Sequence, residues 1–204
     1  MNGTCQRLVM SASRATIILT VSSYHHGNLR NVLIEGALAA IAENGAANLS
    51  LRDVARRAGV SHAAPAHHFG DKRGLLTAIA VEGFDGLTEA TSAAAGDHVA
   101  GGLAWIRWAL DHPAHYDVMF SPNLLRLDDP ELVRARTEGA AVLLTSVRTR
   151  GVGESDVVLG AIASMSWAHG FIGLWQTGNL EGLGDPIELA LSTAQALGRL
   201  ASPG

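Results

Sequence analysis

The chain has 204 residues, 48% hydrophobic and 17% charged, with a net charge of −4 and one cysteine, Cys5. A chain of this length buries roughly 70% of its unfolded surface, so it needs no disulfide or metal to fold, and its balance excludes a mostly disordered protein. The single cysteine excludes an internal disulfide framework and a cysteine-based zinc or iron–sulfur site, and it fits a reducing, intracellular setting.

Residues 1–23 read as a flexible extension carrying Arg7 and Arg14. Their apolar run, Ile17 to Leu19, is far short of the roughly 18 residues of a spanning helix, and no small-residue cleavage site follows it. No membrane partner is expected, and a cytoplasmic location is. Residues 24–73 hold six basic and four acidic residues and five of the nine histidines, whereas residues 74–204 hold seven basic and fifteen acidic ones. That asymmetry points the first part toward a polyanion. The boundaries expected are therefore 24–73 for a nucleic-acid-facing part and 74–204 for a second part.

No stretch alternates with period two for long, so the pattern predicts an all-α chain of about nine helices and no strands. Asn28 is the expected cap of a first helix whose apolar face is Leu29, Val32, Leu33, Ala37, Ala40 and Ile41, ended by Gly45. Ser50 opens the next, with Asp53 completing a capping box. Gly59 stops it, and Ser61 caps a short helix to about His68. Lys72 begins a longer one to about Ala94. Asp97 to Asp111 and Pro113 to Phe120 follow. Asp129-Pro130 starts a helix to about Arg150, because proline at the first helical position forfeits no bond. Ser155 to Thr177 is apolar on nearly every side, so burial in the domain or against a partner is expected. Asp185-Pro186-Ile187-Glu188 combines cap, proline and acid for the last helix, to about Ala201.

The informative stretch is Ser50 to Lys72, SLRDVARRAGVSHAAPAHHFGDK. Two short helices meet at Ala58-Gly59-Val60, where Gly59 can take the positive φ of a sharp turn, and Val54 and Val60 can bury between them. This is helix-turn-helix spacing, whose second helix enters the DNA major groove. A generic helical hairpin has the same small-Gly-Val turn. Lys72, the only lysine, stands at a helix N-terminus, where the dipole disfavours a cation unless an anion such as phosphate is near. His62 and Ala63 lie in the first exposed turn and are the candidates for base edges. Arg52, Arg56 and Arg57 either track phosphates or solvate a helix face.

Residues 24–82 resemble the N-terminal domain of TetR-family transcriptional regulators. The pattern L-R-D-V-A-x-x-A-G-V-S followed by H-F-x-x-K is met by Leu51, Arg52, Asp53, Val54, Ala55, Ala58, Gly59, Val60, Ser61, His68, Phe69 and Lys72, and Tyr24-His25-His26-Gly27-Asn28-Leu29-Arg30 resembles a common entry to the first helix. The resemblance implies that Ser50, Ser61, His68 and Lys72 touch DNA backbone or support the reading helix. The DNA-contacting set is thus Ser50, Arg52, Ser61, His62, Ala63, His67, His68 and Lys72. Ala66 departs from the pattern: the family usually has a phosphate-binding tyrosine there, and the departure implies either weaker DNA affinity or a load shifted to His67 and His68.

Ser166-Trp167-Ala168-His169-Gly170 resembles the W-x-H-G signature of a C-terminal domain of the same family, the WHG domain, and implies a helical, dimerising part with a small-molecule pocket. The candidate ligand contacts are Trp105, Trp108, Tyr116, Met119, Phe120, Trp167, His169 and Phe171, with ordinary core packing as the alternative. The candidate homodimer face is Ala161, Met165, Ala168, Ile172, Ile187, Leu191, Ala194 and Leu197, forming a four-helix interface from two chains. His112 and His115 have helix-like spacing, but Pro113 interrupts it, and no metal site or cofactor is implied. No nucleophile stands beside a base at a recognisable spacing, and no glycine loop cradles phosphate, so the reading is not an enzyme. The expected function is a regulator, a repressor on a near-palindromic double-stranded operator, released by a small, largely apolar effector. Two alternatives stand beside it: a helical enzyme using His169 or the His112–Asp117 region, and an adaptor of the same fold that has lost DNA binding.

Overall fold

A computed structural model of the chain describes residues 25–94 and 96–201. The expected extension, 1–23, lies outside the described residues, as do the side chains of residues 25–28, 200 and 201. Among the described residues nine α-helices run in order: α1 His25–Asn44, α2 Leu51–Arg57, α3 Ala64–Phe69, α4 Lys72–Ser92, α5 His98–Asp111, α6 Pro113–Met119, α7 Pro130–Arg148, α8 Glu154–Gln176 and α9 Pro186–Ala201. Two short 3-10 turns, Ala46–Asn48 and Pro122–Leu124, complete them, and no strand occurs among the described residues.

Four aspartates start helices. Asp71 accepts from the Gly74 amide, Asp97 from Val99 and Ala100, Asp129 from Glu131 and Leu132, and Asp185 from Ile187 and Glu188. Each satisfies donors that the first helical turn leaves unpaired. Three expected caps differ. Asn28 lies inside α1, which already begins at His25. Ser50 occupies the cap position of α2 without a side-chain bond. Ser61 does not cap α3, which starts three residues later, at Ala64.

One buried cluster joins Leu33, Ala37 and Ile41 of α1, Val54 of α2 and Phe69 of α3 to Leu75, Leu76 and Ile79 of α4, Val118 of α6 and Leu132 of α7. α4 therefore packs into both parts of the chain. A second cluster holds Ile106, Ala109, Tyr116, Ala168, Phe171, Ile172 and Ala190, where α5 meets α8 and α9. His98 bridges α5 to its neighbours, its ring nitrogens 3.0 and 2.8 Å from the hydroxyls of Ser146 on α7 and Ser164 on α8. α8 is long and apolar enough to cross a bilayer by length and composition. Here it packs inward through Val157, Ala161, Ala168, Phe171 and Ile172.

Candidate nucleic-acid interface

α2 and α3 form the expected helix-turn-helix. Val54 and Ala55 are fully buried. Gly59 has φ +67, and the Val60 amide reaches back to the Ala55 carbonyl at 3.0 Å, closing α2 with a left-handed residue that only glycine adopts cheaply. Pro65 is the second residue of α3 and is buried. It has no N–H to donate to the Ser61 carbonyl, so the helix starts late, with the Ala64 amide on that carbonyl at 3.0 Å. Pro65 and Phe69 seat α3 inward, leaving Ser61, His62, Ala63, Ala66 and His67 exposed. His68 is half-buried, its ring 5.7 Å from that of His67 and 6.3 Å from that of Phe69.

The charges around this surface are mostly committed. Arg57 pairs with both carboxylate oxygens of Glu43 (2.9 and 2.5 Å) and with Asp53 at 2.7 Å, and Arg56 also pairs with Asp53. These guanidiniums hold the Asp53 and Glu43 carboxyls below the usual carboxylate range. Asp53 is thus an ion-pair hub rather than half of a capping box. Arg30 pairs with Glu82 at 2.8 Å and lies 5.7 Å over the Phe69 ring. Lys72 donates to the Ala47 carbonyl at 2.6 Å, which supplies the partial negative charge its position calls for. Arg52 is exposed and makes no ion pair among the described residues. With Ser50, Asp53, Arg56 and His62 it lines a shallow basin of about 430 Å³. The structure therefore gathers Ser50, Arg52 and His62 in one hollow, leaves Ser61, Ala63 and His67 exposed, turns His68 partly inward, and ties Lys72 to the α1–α2 connection.

The sequence reading missed a clasp between this region and the rest of the chain. Asp71 pairs with Arg126 at 2.9 Å, and Arg73 donates to the Leu125 carbonyl at 2.5 Å. The Arg126 amide donates to Thr77 Oγ1 at 3.0 Å, and the Ala46 amide to Asp117 at 3.0 Å. Thr77 is buried, and its hydroxyl donates to Arg73. The signal was present as one threonine on the apolar face of α4.

The expected ligand contacts pack largely on one another. Tyr116 Oη lies 2.6 Å from His169 Nδ1, and the His169 ring meets Phe120 edge-on at 4.3 Å and Trp105 at 5.8 Å. Burial pushes the Tyr116 phenol up to about 12, against the opposing pull of the Trp105 N–H. The same Trp105 nitrogen is buried without a hydrogen bond of full geometry. Burial lowers the pKa of His169 and, together with His112, that of His115. Trp108 stacks on His112 at 4.6 Å, and Met119 fills the space that a side chain at Gly83 would need. An apolar groove of about 500 Å³ lies instead between α8 and α9, beside Trp167, Phe171, Leu174, Leu183, Leu189 and Leu197. Of the expected contacts, Trp167 and Phe171 border it.

The expected dimer residues also divide. Ala161, Ala168 and Ile172 are buried within the single chain, so they are not available to a second copy. Ile187, Leu191 and Ala194 are half-buried, and Met165 and Leu197 are exposed. The outward row of α8 is Val158, Leu159, Ile162 and Met165. A helix apolar on every side gives no periodicity from which to choose its outer face.

An all-α chain that presents a helix-turn-helix at one end and a larger helical part behind it has the architecture of a DNA-binding transcriptional regulator. Residues 33–79 match the family described as bacterial regulatory proteins, tetR family, and residues 98–197 match the tetracyclin repressor-like C-terminal domain, which spans Trp167, His169 and Gly170. The chain is 31% identical over 133 residues to the HTH-type transcriptional repressor AcnR of Corynebacterium efficiens, covering 63% of this chain and 67% of that one. The AcnR of Corynebacterium glutamicum is 29% identical over 186 residues, covering 82% and 93%. A solved protein of unknown function from Rhodococcus sp. RHA1 superposes with a TM-score of 0.71 at 30% identity, covering 86% and 96%. The chain belongs to the TetR family of transcriptional regulators.

Proposed function

We propose that the protein is a cytoplasmic, homodimeric repressor that binds a near-palindromic operator through α3 and the turn before it, and is released by a small, largely apolar effector. It acts by binding rather than by catalysis. The observation that carries the reading is the exposed surface Ser61-His62-Ala63 with Ala66 and His67, set on a buried scaffold of Val54, Ala55, Pro65 and Phe69. Two relatives bearing the description of transcriptional repressor support the sense of regulation. Two copies joined through Val158, Leu159, Ile162 and Met165, with Leu191, Ala194 and Leu197 of α9, place two reading helices about a two-fold axis, and the operator mirrors that symmetry.

The effector enters by the α8–α9 groove and reaches Trp167 and Phe171, with His169, Tyr116, Trp105 and Phe120 behind them. It releases DNA only to the extent that it binds the DNA-incompetent state better than the competent one. The clasp of Arg126 and Leu125 on Asp71, Arg73 and Thr77 is the route by which a shift in the effector part reaches the start of α4. Lys72 and the residues around Ser50 hold backbone phosphates.

Selection of fragmented genomic DNA by the purified protein at low salt tests the proposal. An enriched inverted repeat is the expected result. Recovery of fragments with no common repeat would remove the DNA reading and leave the adaptor.

A further inference from the structure

We propose that Arg126 is a positioning residue for DNA binding: carried by the loop before α7, it masks the carboxylate of Asp71, so that Lys72, the next residue, meets the DNA backbone without a competing anion. This deepens the DNA reading above and rests on its assignment of Lys72 to a phosphate.

The part of the chain that faces DNA carries acids as well as cations. Glu43 and Asp53 are covered from within it, by Arg56 and Arg57. Asp71 stands two residues beyond the end of α3 and one before Lys72. Its cation comes from the larger part, from Arg126 at 2.9 Å. The carboxylate has a local task, because the oxygen that pairs with Arg126 also accepts the Gly74 amide at 2.8 Å and starts α4. The Gly74 amide and the Arg126 guanidinium together hold the Asp71 carboxyl below the usual carboxylate range. A phosphate brought to Lys72 therefore meets a charged acid, not a neutral one.

The placement of Arg126 is fixed from several sides. Leu125 before it is buried and accepts from Arg73. The Arg126 amide sits on Thr77 Oγ1 at 3.0 Å, and Thr77 in turn donates to the Arg73 carbonyl. The guanidinium lies over the elbow between α3 and α4, where two glycines leave it room. A side chain at Gly70 would begin 3.4 Å from Arg126 Nη2, and one at Gly74 would begin 3.2 Å from Nη1 and 2.0 Å from the Phe69 carbonyl oxygen. Gly70 also has φ +79, a conformation that glycine adopts without strain.

Lys72 stays available. One of its three donors is on the Ala47 carbonyl at 2.6 Å, and the others are left for a phosphate. Loss of Arg126 removes a cation from this elbow and bares a carboxylate beside the ammonium. A shift that draws the Arg126 loop off α4 would thus loosen DNA with α3 unchanged in shape. One unit charge within a Debye length of a phosphate changes affinity roughly 3- to 10-fold. A two-fold assembly counts it twice, about 10- to 100-fold per dimer.

Three full-length variants test this: Arg126→Gln, Asp71→Asn and the two together. Asparagine caps a helix as well as aspartate does, so Asp71→Asn removes the charge and keeps the start of α4. Each is titrated by fluorescence anisotropy with the duplex recovered by genomic selection and with a shuffled duplex, at low and at raised salt, with circular dichroism to follow the fold. Arg126→Gln should bind both duplexes about 10- to 100-fold more weakly, because a backbone effect does not depend on sequence. Asp71→Asn should bind more tightly than wild type, and the double variant should return to within a few-fold of it. The deficit of Arg126→Gln should shrink as salt screens the charge. If Arg126 only braces the fold, Asp71→Asn weakens binding as well and the double variant recovers nothing. Either of those results, an unchanged Arg126→Gln, or a deficit indifferent to salt would overturn the proposal while leaving the operator reading intact. Should Arg126→Gln not fold, the sign of the Asp71→Asn effect decides alone. Wild-type binding without preference for the recovered duplex defeats the operator reading, and the shuffled duplex still decides the role of Arg126. Wild type that binds neither duplex defeats both.

Discussion

Ile162→Glu is expected to separate the dimer without unfolding the chain. Ile162 is 51% exposed in the single chain and lies in the outward row of α8, between Leu159 and Met165. That exposure is about 100 Å² of mostly apolar surface, which at 25 cal/mol per Å² contributes about 2.5 kcal/mol per copy when covered. Because the interface is two-fold, each dimer loses the contribution twice, about 5 kcal/mol, before counting the cost of covering two carboxylates. A loss of that size raises the dimer dissociation constant by about three orders of magnitude or more. Glutamate is a good helix former, and Ile162 is not among the buried residues of the clusters, so the melting of α8 itself should change little. Sedimentation equilibrium over a range of concentrations reads the outcome. Wild type should give twice the 21.3 kDa of one chain at micromolar concentration, and the variant should give one chain with an unchanged helical spectrum. A wild-type mass of one chain, or a variant that remains a tight dimer, would show that this row is not the interface.

Three further outcomes follow from the packing. Thr77→Val keeps the side-chain shape but leaves the Arg126 amide without its 3.0 Å acceptor; it should cost about 1–3 kcal/mol, a fall in melting temperature of about 2–4 °C for each kcal/mol, whereas Thr77→Ser should lose less. Equal melting of the valine variant and wild type would remove the clasp from the account. Burial lowers the pKa of His98, His115 and His169 in the folded chain. The unfolded chain therefore binds their protons first, and stability should be level above about pH 6.5 and decline as pH falls below it. Melting temperatures that are constant or rise from pH 7 to 5.5 would contradict this. An effector that enters the α8–α9 groove should change tryptophan emission chiefly through Trp167, which borders it, rather than Trp108, which is stacked on His112. If Trp167→Phe keeps the full emission response, the groove is not the entry.

The parts of this structure that were legible in the sequence are those fixed within a few residues. Asp129-Pro130 and Asp185-Pro186 start helices because the aspartate oxygen reaches the next two amides and the proline has none to lose. Gly59 closes α2 because the turn needs a positive φ. Where two local possibilities compete, the spacing alone does not decide. Asp53 could cap with Ser50 or pair with Arg56 and Arg57, and the ion pairs win. Ser61 could cap α3 were Pro65 not to delay its start. Contacts between distant residues left no local trace: Arg126 is 49 residues from Thr77, and Tyr116 is 53 from His169. Aromatic composition marked the helices that hold the rings but could not tell rings that fill space from rings that border the groove.

In the proposed function, α3 and its turn recognise a particular DNA sequence as part of a two-fold assembly. The most direct test is an equilibrium titration at physiological salt, with the recovered operator duplex set against a shuffled duplex of the same length and composition. One dimer per inverted repeat and a preference for the operator of at least about a thousandfold are the expected results. Equal affinity for the two duplexes would contradict that function.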